Sequence, residues 1–146
     1  MACPYCTEPD IAERTIIRND LVFAFPTNIP IVPGHVLVCP VRCVPRFEDL
    51  TAEERTAIFD MATLLRASLT KVFSAEGFHC VWNAGKVAGQ SVPHFHLHVI
   101  PRREGDAGIT EYEPRKFIYR PGSREVSPGE ELTAVAELLR KDLAKE

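Results

Sequence analysis

Short runs in which apolar and polar residues alternate, separated by Pro, Gly and Asn, dominate the first hundred residues of the chain. Alternation with a period of two is the pattern of a strand that buries one face. The Asn19-Asp20 pair between the first two runs suits a hairpin turn. The pattern predicts strands that pair antiparallel, at Thr15–Arg18, Leu21–Phe25, His35–Cys39, Phe78–Asn83 and Pro93–Pro101.

Two segments change to the spacing of an amphipathic helix, in which apolar residues recur every three or four positions. The first begins with Thr-Ala-Glu-Glu at residues 51–54, a capping box, and runs to about Ser74. The second follows Ser-Pro-Gly-Glu at residues 127–130, a sequence typical of a capped helix start, and covers residues 128–144. We therefore expect an α+β fold with an antiparallel sheet of about five strands, one long helix and a C-terminal helix.

Composition narrows the class of protein. With 146 residues, 45% of them apolar, the chain fits one domain over residues 1–146. Residues 104–125 are polar, and we expect a flexible segment there, with a short edge strand at Lys116–Arg120. A net charge of −3 gives no general attraction to nucleic acid, which favours a small-molecule ligand. The sequence shows neither an export signal nor a run of membrane-spanning length, so we expect a cytoplasmic protein.

Three of the five histidines, at positions 94, 96 and 98, alternate with apolar residues in the last predicted strand. On a strand the apolar side chains can enter the core while all three imidazoles line the opposite face. Imidazole is a nucleophile, a proton carrier and a metal ligand near neutral pH. We therefore interpret this histidine row as part of a reaction site.

The loop before the histidine row carries polar groups suited to phosphate: Asn83, Gly85, Gly89, Gln90 and Ser91. Glycines let backbone N–H groups approach an anion, and amide or hydroxyl side chains can hydrogen-bond phosphoryl oxygens. The same composition also fits a glycine-rich turn that only joins two strands. Both interpretations of the loop stay open at this point.

The cysteines fall into two groups. An odd number, five, without an export signal argues against a disulfide framework and for metal binding or buried thiols. Cys3 and Cys6 form a C-x-x-C pair, which has metal-ligand spacing, and Cys43 follows a Pro-containing segment. Cys39 and Cys80 lie inside apolar runs, where we expect packed thiols.

The residues from His94 to Ile100 satisfy all seven positions of the motif His-apolar-His-apolar-His-apolar-apolar. On this motif, and on the similar signatures at residues 33–38 and 89–92, the chain resembles the histidine triad (HIT) family of nucleotide hydrolases and transferases. The resemblance covers roughly residues 3–103. Residues 33–50 are especially similar to the fragile-histidine-triad branch, which cleaves dinucleoside polyphosphates, whereas the N-terminal cysteines are similar to those of zinc-containing prokaryotic relatives.

The resemblance implies roles for individual residues. His96 is expected to attack the α-phosphorus of an AMP-X substrate and to carry a nucleotidyl intermediate. His98 and His35 are expected to contact the phosphoryl oxygens and to orient the nucleophile. The remaining substrate contacts are expected from Asn83, Gln90 and Ser91 at the phosphates and from Thr27 or Asn28 at the ribose.

The resemblance also implies a closed structural zinc site formed by Cys3, Cys6, Cys43 and His94, with Cys43 at a position where those relatives have histidine. No carboxylate cluster for magnesium is apparent, so no catalytic metal is expected, and the family resemblance implies a homodimer. Dinucleoside polyphosphates are the leading substrate class. A nucleoside phosphoramidase, a dinucleoside polyphosphate phosphorylase, and a zinc-stabilised nucleotide-binding module with incidental hydrolysis stay open as alternatives.

Overall fold

An antiparallel sheet of five strands forms the centre of the molecule, in the order β1-β2-β3-β5-β4. The computed structural model describes residues 3–106 and 126–145. The strands are β1 (Ile17–Arg18), β2 (Val22–Pro26), β3 (Val36–Pro40), β4 (Gly77–Val81) and β5 (Leu97–Arg102). Together with the helices described below, this sheet confirms the predicted α+β fold.

The hairpin between β1 and β2 forms where the sequence predicts it. The side-chain carbonyl of Asn19 accepts hydrogen bonds from the backbone N–H groups of Leu21 and Val22, at 2.9 and 3.0 Å. Asn favours such turns because its side chain satisfies backbone donors locally. β2 then pairs along its whole length with β3.

The long helix α3 spans Ala52–Phe73 and begins with the predicted capping box between Thr51 and Glu54. It packs across one face of the sheet with buried side chains that include Ile58, Leu65 and Leu69. The C-terminal helix α4 (Gly129–Ala144) joins the same core. Its predicted capping sequence provides no side-chain cap, because Pro128, which has no hydroxyl or amide oxygen to offer, occupies the cap position.

The two faces of the sheet are covered by different parts of the chain. α3 and α4 cover the face formed by Val22, Ala24, Val36, Val38, Leu97 and Val99. The opposite face, formed by Phe23, Phe25, Leu37 and Cys39, is covered by Tyr5 and Ile11 from two short N-terminal helices, α1 (Pro4–Thr7) and α2 (Pro9–Glu13). Leu37 pairs with His98 in the register between β3 and β5, so the histidine row lies on this second face.

Two predictions about local structure are wrong. The histidine strand begins at Leu97 rather than Pro93, because the pairing of β5 with β3 ends at Leu97 and the N–H of Phe95 donates instead to the carbonyl of Val44, at 2.7 Å. Cys80 is exposed on β4 and is not a packed thiol, whereas Cys39 is fully buried as expected.

Residues 104–125, predicted to be flexible, lie mostly outside the described residues, as does the expected edge strand. At the start of this range the chain forms a turn closed by ionic hydrogen bonds from Arg102 to Asp106, both at 2.8 Å. Among the helices that the structure describes, none is both long and apolar enough to span a bilayer.

Candidate active site and metal centre

His94 is fully buried at the end of the loop that leads into β5. Its Nε2 lies 2.7 Å from the carbonyl oxygen of Pro40, so Nε2 carries the proton and donates it. The lone pair is therefore on Nδ1, which points at the thiols of Cys3 and Cys6, at 3.3 and 3.6 Å. Burial lowers the pKa of His94 and keeps the ring in the neutral form that a metal ligand requires.

Cys3, Cys6, Cys43 and His94 place one ligand atom each within 4.8 Å of one another. Burial and the neighbouring thiols raise the pKa of Cys43 to about 12, an effect that a cation between the sulfurs would reverse. With zinc bonds of about 2.3 Å to sulfur and 2.1 Å to nitrogen, ligand atoms of a tetrahedral site stand about 3.6 Å apart. The observed sulfur–nitrogen separations of 3.3 and 3.6 Å and the donor types fit such an ion.

His96 is 6% exposed and its ring orientation is fixed by a single backbone contact. Its Nδ1 lies 2.8 Å from the carbonyl oxygen of His94 and donates a hydrogen bond to it. The lone pair of the neutral ring is then on Nε2. Burial lowers the pKa of His96, so the ring is unprotonated at neutral pH and Nε2 is available as a nucleophile.

His35 and His98 form a second hydrogen-bonded pair. The backbone N–H of Ile31 donates to Nδ1 of His35 at 3.1 Å, so the ring proton of His35 is on Nε2. That Nε2 lies 2.9 Å from Nδ1 of His98 and donates to it, which places the proton of His98 on its own Nε2. The rings of His96 and His98 are 5.1 Å apart, so the lone pair of His96 and the N–H of His98 lie on neighbouring rings.

A cavity of about 360 Å³ opens in front of His96 and His98. Thr27, Asn28 and Ser91 are also in its wall, which brings three of the predicted substrate-binding residues to the histidine row. His35 is not in the wall but lies buried behind His98. An apolar side of the cavity is formed by Tyr5, Ile11, Phe25 and Leu37.

Tyr5 and Arg14 are parts of this site that the sequence interpretation missed. Tyr5 packs edge-on against His96 and Phe25, with ring centroids 5.3 and 5.2 Å apart. Arg14 is 8% exposed, and its Nε donates to the carbonyl of Pro26 at 2.8 Å. The position of Tyr5 between Cys3 and Cys6 was an available signal, since these cysteines lie against His94 at the start of the histidine row. No comparable signal marked Arg14.

Asn83 and Gln90 lie in a neighbouring cavity rather than beside His96. The side-chain oxygen of Gln90 accepts from the N–H of Gly85 at 2.9 Å, and its Nε2 donates to the carbonyls of Pro45 and Val92, at 2.8 and 3.2 Å. Gln90 therefore holds its own loop in place. Its expected contact with phosphate, like that of Asn83, stays a prediction.

An α+β sheet with a histidine row at a cavity on one face defines the class of histidine triad folds. The HIT domain profile matches residues 8–105 of the chain. The chain is 41% identical over 102 residues to an asymmetrical bis(5'-nucleosyl)-tetraphosphatase from Schizosaccharomyces pombe. The aligned region covers 70% of this chain and 56% of that protein. It is 39% identical over 110 residues to a bis(5'-adenosyl)-triphosphatase from Dictyostelium discoideum, covering 75% of this chain and 70% of that protein.

A solved structure of a Zn-bound histidine triad family protein from Mycobacterium smegmatis has a TM-score of 0.74 and 25% identity, over 99% of this chain and 95% of that one. The chain belongs to the HIT family. The resemblance to the fragile-histidine-triad branch and to zinc-containing prokaryotic relatives is thereby confirmed. The matched region spans little more than half of the Schizosaccharomyces relative, at 56% of its length.

Proposed function

We propose that this protein is a nucleotide hydrolase or transferase that cleaves AMP-X substrates, dinucleoside polyphosphates above all, through a nucleotidyl intermediate on His96. The observation that carries the proposal is the fixed orientation of the His96 ring. Its Nδ1–H is bound to the carbonyl of His94, which leaves the Nε2 lone pair for the cavity side of the ring. The names of the two curated relatives agree with this substrate class.

The reaction is a double displacement. Nε2 of His96 forms a bond to the α-phosphorus while the bond from phosphorus to the bridging oxygen breaks, and the leaving nucleotide takes the electron pair. The N–H of His98, oriented by His35, stabilises the charge that develops on the phosphoryl oxygens. Water then attacks the same phosphorus and releases a proton to solvent, the bond from phosphorus to Nε2 breaks, AMP leaves, and Nε2 regains its lone pair.

The cavity in front of His96 suits one nucleoside. Its apolar side can accept a base, and the hydroxyl of Thr27 and the amide of Asn28 stand in the same wall. Thr27 is 5% exposed and its Oγ1 accepts from the N–H of Ile29 at 3.3 Å, so the more exposed Asn28 is the better ribose contact. This assignment leaves the leaving group X outside the nucleoside cavity.

Zinc is the metal that we propose for the four-residue cluster. Three thiolates and one imidazole form a closed set, which is the composition of a structural zinc site with no position for a catalytic water. The ion would tie α1 to the start of β5 and fix His94, whose carbonyl in turn orients His96. Metal analysis of the purified protein tests this: we expect one zinc per chain, and protein that stays metal-free after exposure to zinc would contradict it.

A homodimer is the proposed assembly. β4 forms one edge of the described sheet, and an edge strand offers backbone donors and acceptors to a second copy. Light scattering should give twice the chain mass, whereas the mass of one chain would contradict the dimer. A cytoplasmic location stays a prediction from the sequence.

Steady-state turnover tests the proposed activity and separates the alternatives. Diadenosine triphosphate should give AMP and ADP without added phosphate, and faster than adenosine phosphoramidate gives AMP. Strict dependence on phosphate would favour the phosphorylase, and a preference for phosphoramidate would favour the phosphoramidase. Nucleotide binding without turnover of either substrate would contradict the hydrolase and favour the binding module.

A further inference from the structure

A second cavity, of about 1000 Å³, adjoins the nucleoside cavity at Ser91. We call it the outer cavity; it is formed by Pro45, Arg46, Phe47, Glu48, Trp82, Asn83, Ala84, Gly85, Lys86, Gln90, Ser91 and Pro93. Ser91 is in the wall of both cavities. A ligand extended past Ser91 would therefore reach from the histidine row into the outer cavity.

An aromatic platform stands in this outer cavity. Trp82 is 37% exposed and stacks on Phe47, with ring centroids 5.1 Å apart and an interplanar angle of 15°. Phe95 supports Trp82 from the core at 5.7 Å, and the guanidinium of Arg55 lies 4.4 Å from the ring centre of Phe47. An indole that is fixed by its neighbours and still partly exposed can stack a planar ring at little entropic cost.

The charges around the outer cavity suit a polyphosphate that arrives from Ser91. Lys86 contributes a positive group to its wall, Arg46 contributes a guanidinium that is ion-paired with Asp49, and Glu48 contributes one negative group. Arg46 is held in position by hydrogen bonds to Asp49 at 2.9 and 3.2 Å. The combination of an aromatic platform and cations fits a nucleotide better than a purely apolar ligand.

We propose that the outer cavity is the leaving-group subsite, in which the second base of a dinucleoside polyphosphate stacks on Trp82 and its phosphates approach Lys86. The inference rests on the proposed function, since it assigns a place to the group that departs from His96. It also predicts the substrate preference. A substrate with a second base gains binding energy in the outer cavity, whereas a phosphoramidate has no second base to bind there.

Steady-state kinetics of Trp82→Ala with two substrates test the subsite. Loss of one base–aromatic stack costs about 1–3 kcal/mol, which is roughly a 5- to 150-fold loss. We expect kcat/KM for diadenosine triphosphate to fall by that factor, while kcat/KM for adenosine phosphoramidate stays within about twofold. Trp82→Phe, which keeps an aromatic face, should recover most of the loss. Phe59→Ala removes another exposed aromatic side chain, outside both cavities, and should leave both values unchanged.

The outcomes distinguish failure of the subsite from failure of the proposed function. If the unaltered protein turns over neither substrate, the proposed function fails. If it turns over both and Trp82→Ala lowers them equally or not at all, the hydrolase stands and the subsite is overturned. Light scattering of Trp82→Ala supplies a further check, because loss of the dimer would assign Trp82 to a contact between copies and would overturn the subsite.

Discussion

Replacing Glu54 by Gln should destabilise the fold measurably, because this buried carboxylate joins two parts of the chain. Its oxygens accept from Nη2 and Nε of Arg42, at 2.7 and 2.9 Å, and from the N–H of Thr51 at 2.8 Å. Arg42 precedes Cys43, so the ion pair fastens the loop that carries this cysteine to the start of α3. Gln keeps the size of the side chain but removes the charge that Arg42 recognises.

The magnitude follows from the pKa of Glu54, which the hydrogen bonds from Arg42 lower from 4.5 to about 2. At about 1.4 kcal/mol per unit this difference corresponds to roughly 3 kcal/mol. The side chain of Arg42 is 54% exposed, and solvent screening reduces the expected loss to about 2 kcal/mol. Because the pKa is depressed in the folded state, the contribution is complete above pH 4.5 and is lost as the pH falls through about 2.

Urea unfolding monitored by circular dichroism measures the effect. At pH 7 the free energy of unfolding of Glu54→Gln should lie about 2 kcal/mol below that of the unaltered protein, and at pH 3 the gap should fall to roughly half or less. Glu53→Gln is the matched control: this exposed acid occupies the same first turn, and its loss should cost only about 0.3 kcal/mol, from the helix dipole. Equal effects of the two substitutions, or a gap that does not change with pH, would refute the reasoning.

Three further predictions concern the loops, the metal and the histidine pair. Gly34→Ala should lower Tm more than Gly85→Ala, because both glycines have positive φ but only the methyl group added at position 34 meets side chains, at 3.1 Å. Equal shifts in Tm would contradict this packing argument. Cys43→Ser should lower both zinc content and Tm, whereas Cys80→Ser, at an exposed cysteine outside the cluster, should lower neither. An unchanged zinc content in Cys43→Ser would exclude Cys43 as a ligand. His35→Phe should reduce kcat for diadenosine triphosphate by about 10- to 100-fold with a smaller effect on KM, because His35 acts through the orientation of His98. An unchanged kcat would contradict a role for His35 in the mechanism.

The sequence was informative wherever a local rule decides the structure. The side chain of Asn19 makes its turn, the capping box starts α3 at Ala52, and the alternation around His98 places the imidazole opposite the helices. These outcomes depend on residues within a few positions of one another. The grouping of Cys3, Cys6, Cys43 and His94 was also predictable, but only through the family resemblance, because Cys3 and His94 are far apart in the chain.

What the sequence could not provide depends on contacts between distant segments. α1 and α2 have 4 and 5 residues, too few for a periodic pattern, and their proline starts were the available signal. Gln90 has the composition of a phosphate contact, yet its amide is used by backbone groups that only the fold brings near. The late start of the histidine strand, at Leu97, likewise depends on a distant contact, because the N–H of Phe95 donates to the carbonyl of Val44.

His94 connects the four-residue cluster to His96. Nδ1 of His94 faces the thiols, its Nε2 donates to the carbonyl of Pro40, and its own carbonyl accepts from His96. Tyr5, between two of the cysteines, packs against the His96 ring. A change in the cluster should therefore alter the orientation of the His96 ring as well as stability.

On the proposed mechanism, His96 becomes covalently attached to a nucleotide during turnover. Intact-protein mass spectrometry after rapid quenching of a reaction with diadenosine triphosphate tests it most directly. We predict a species heavier by one adenylyl group that appears before steady state, decays as substrate is exhausted, and is absent in His96→Ala. Turnover without any such species, or an adduct that persists in His96→Ala, would contradict the account.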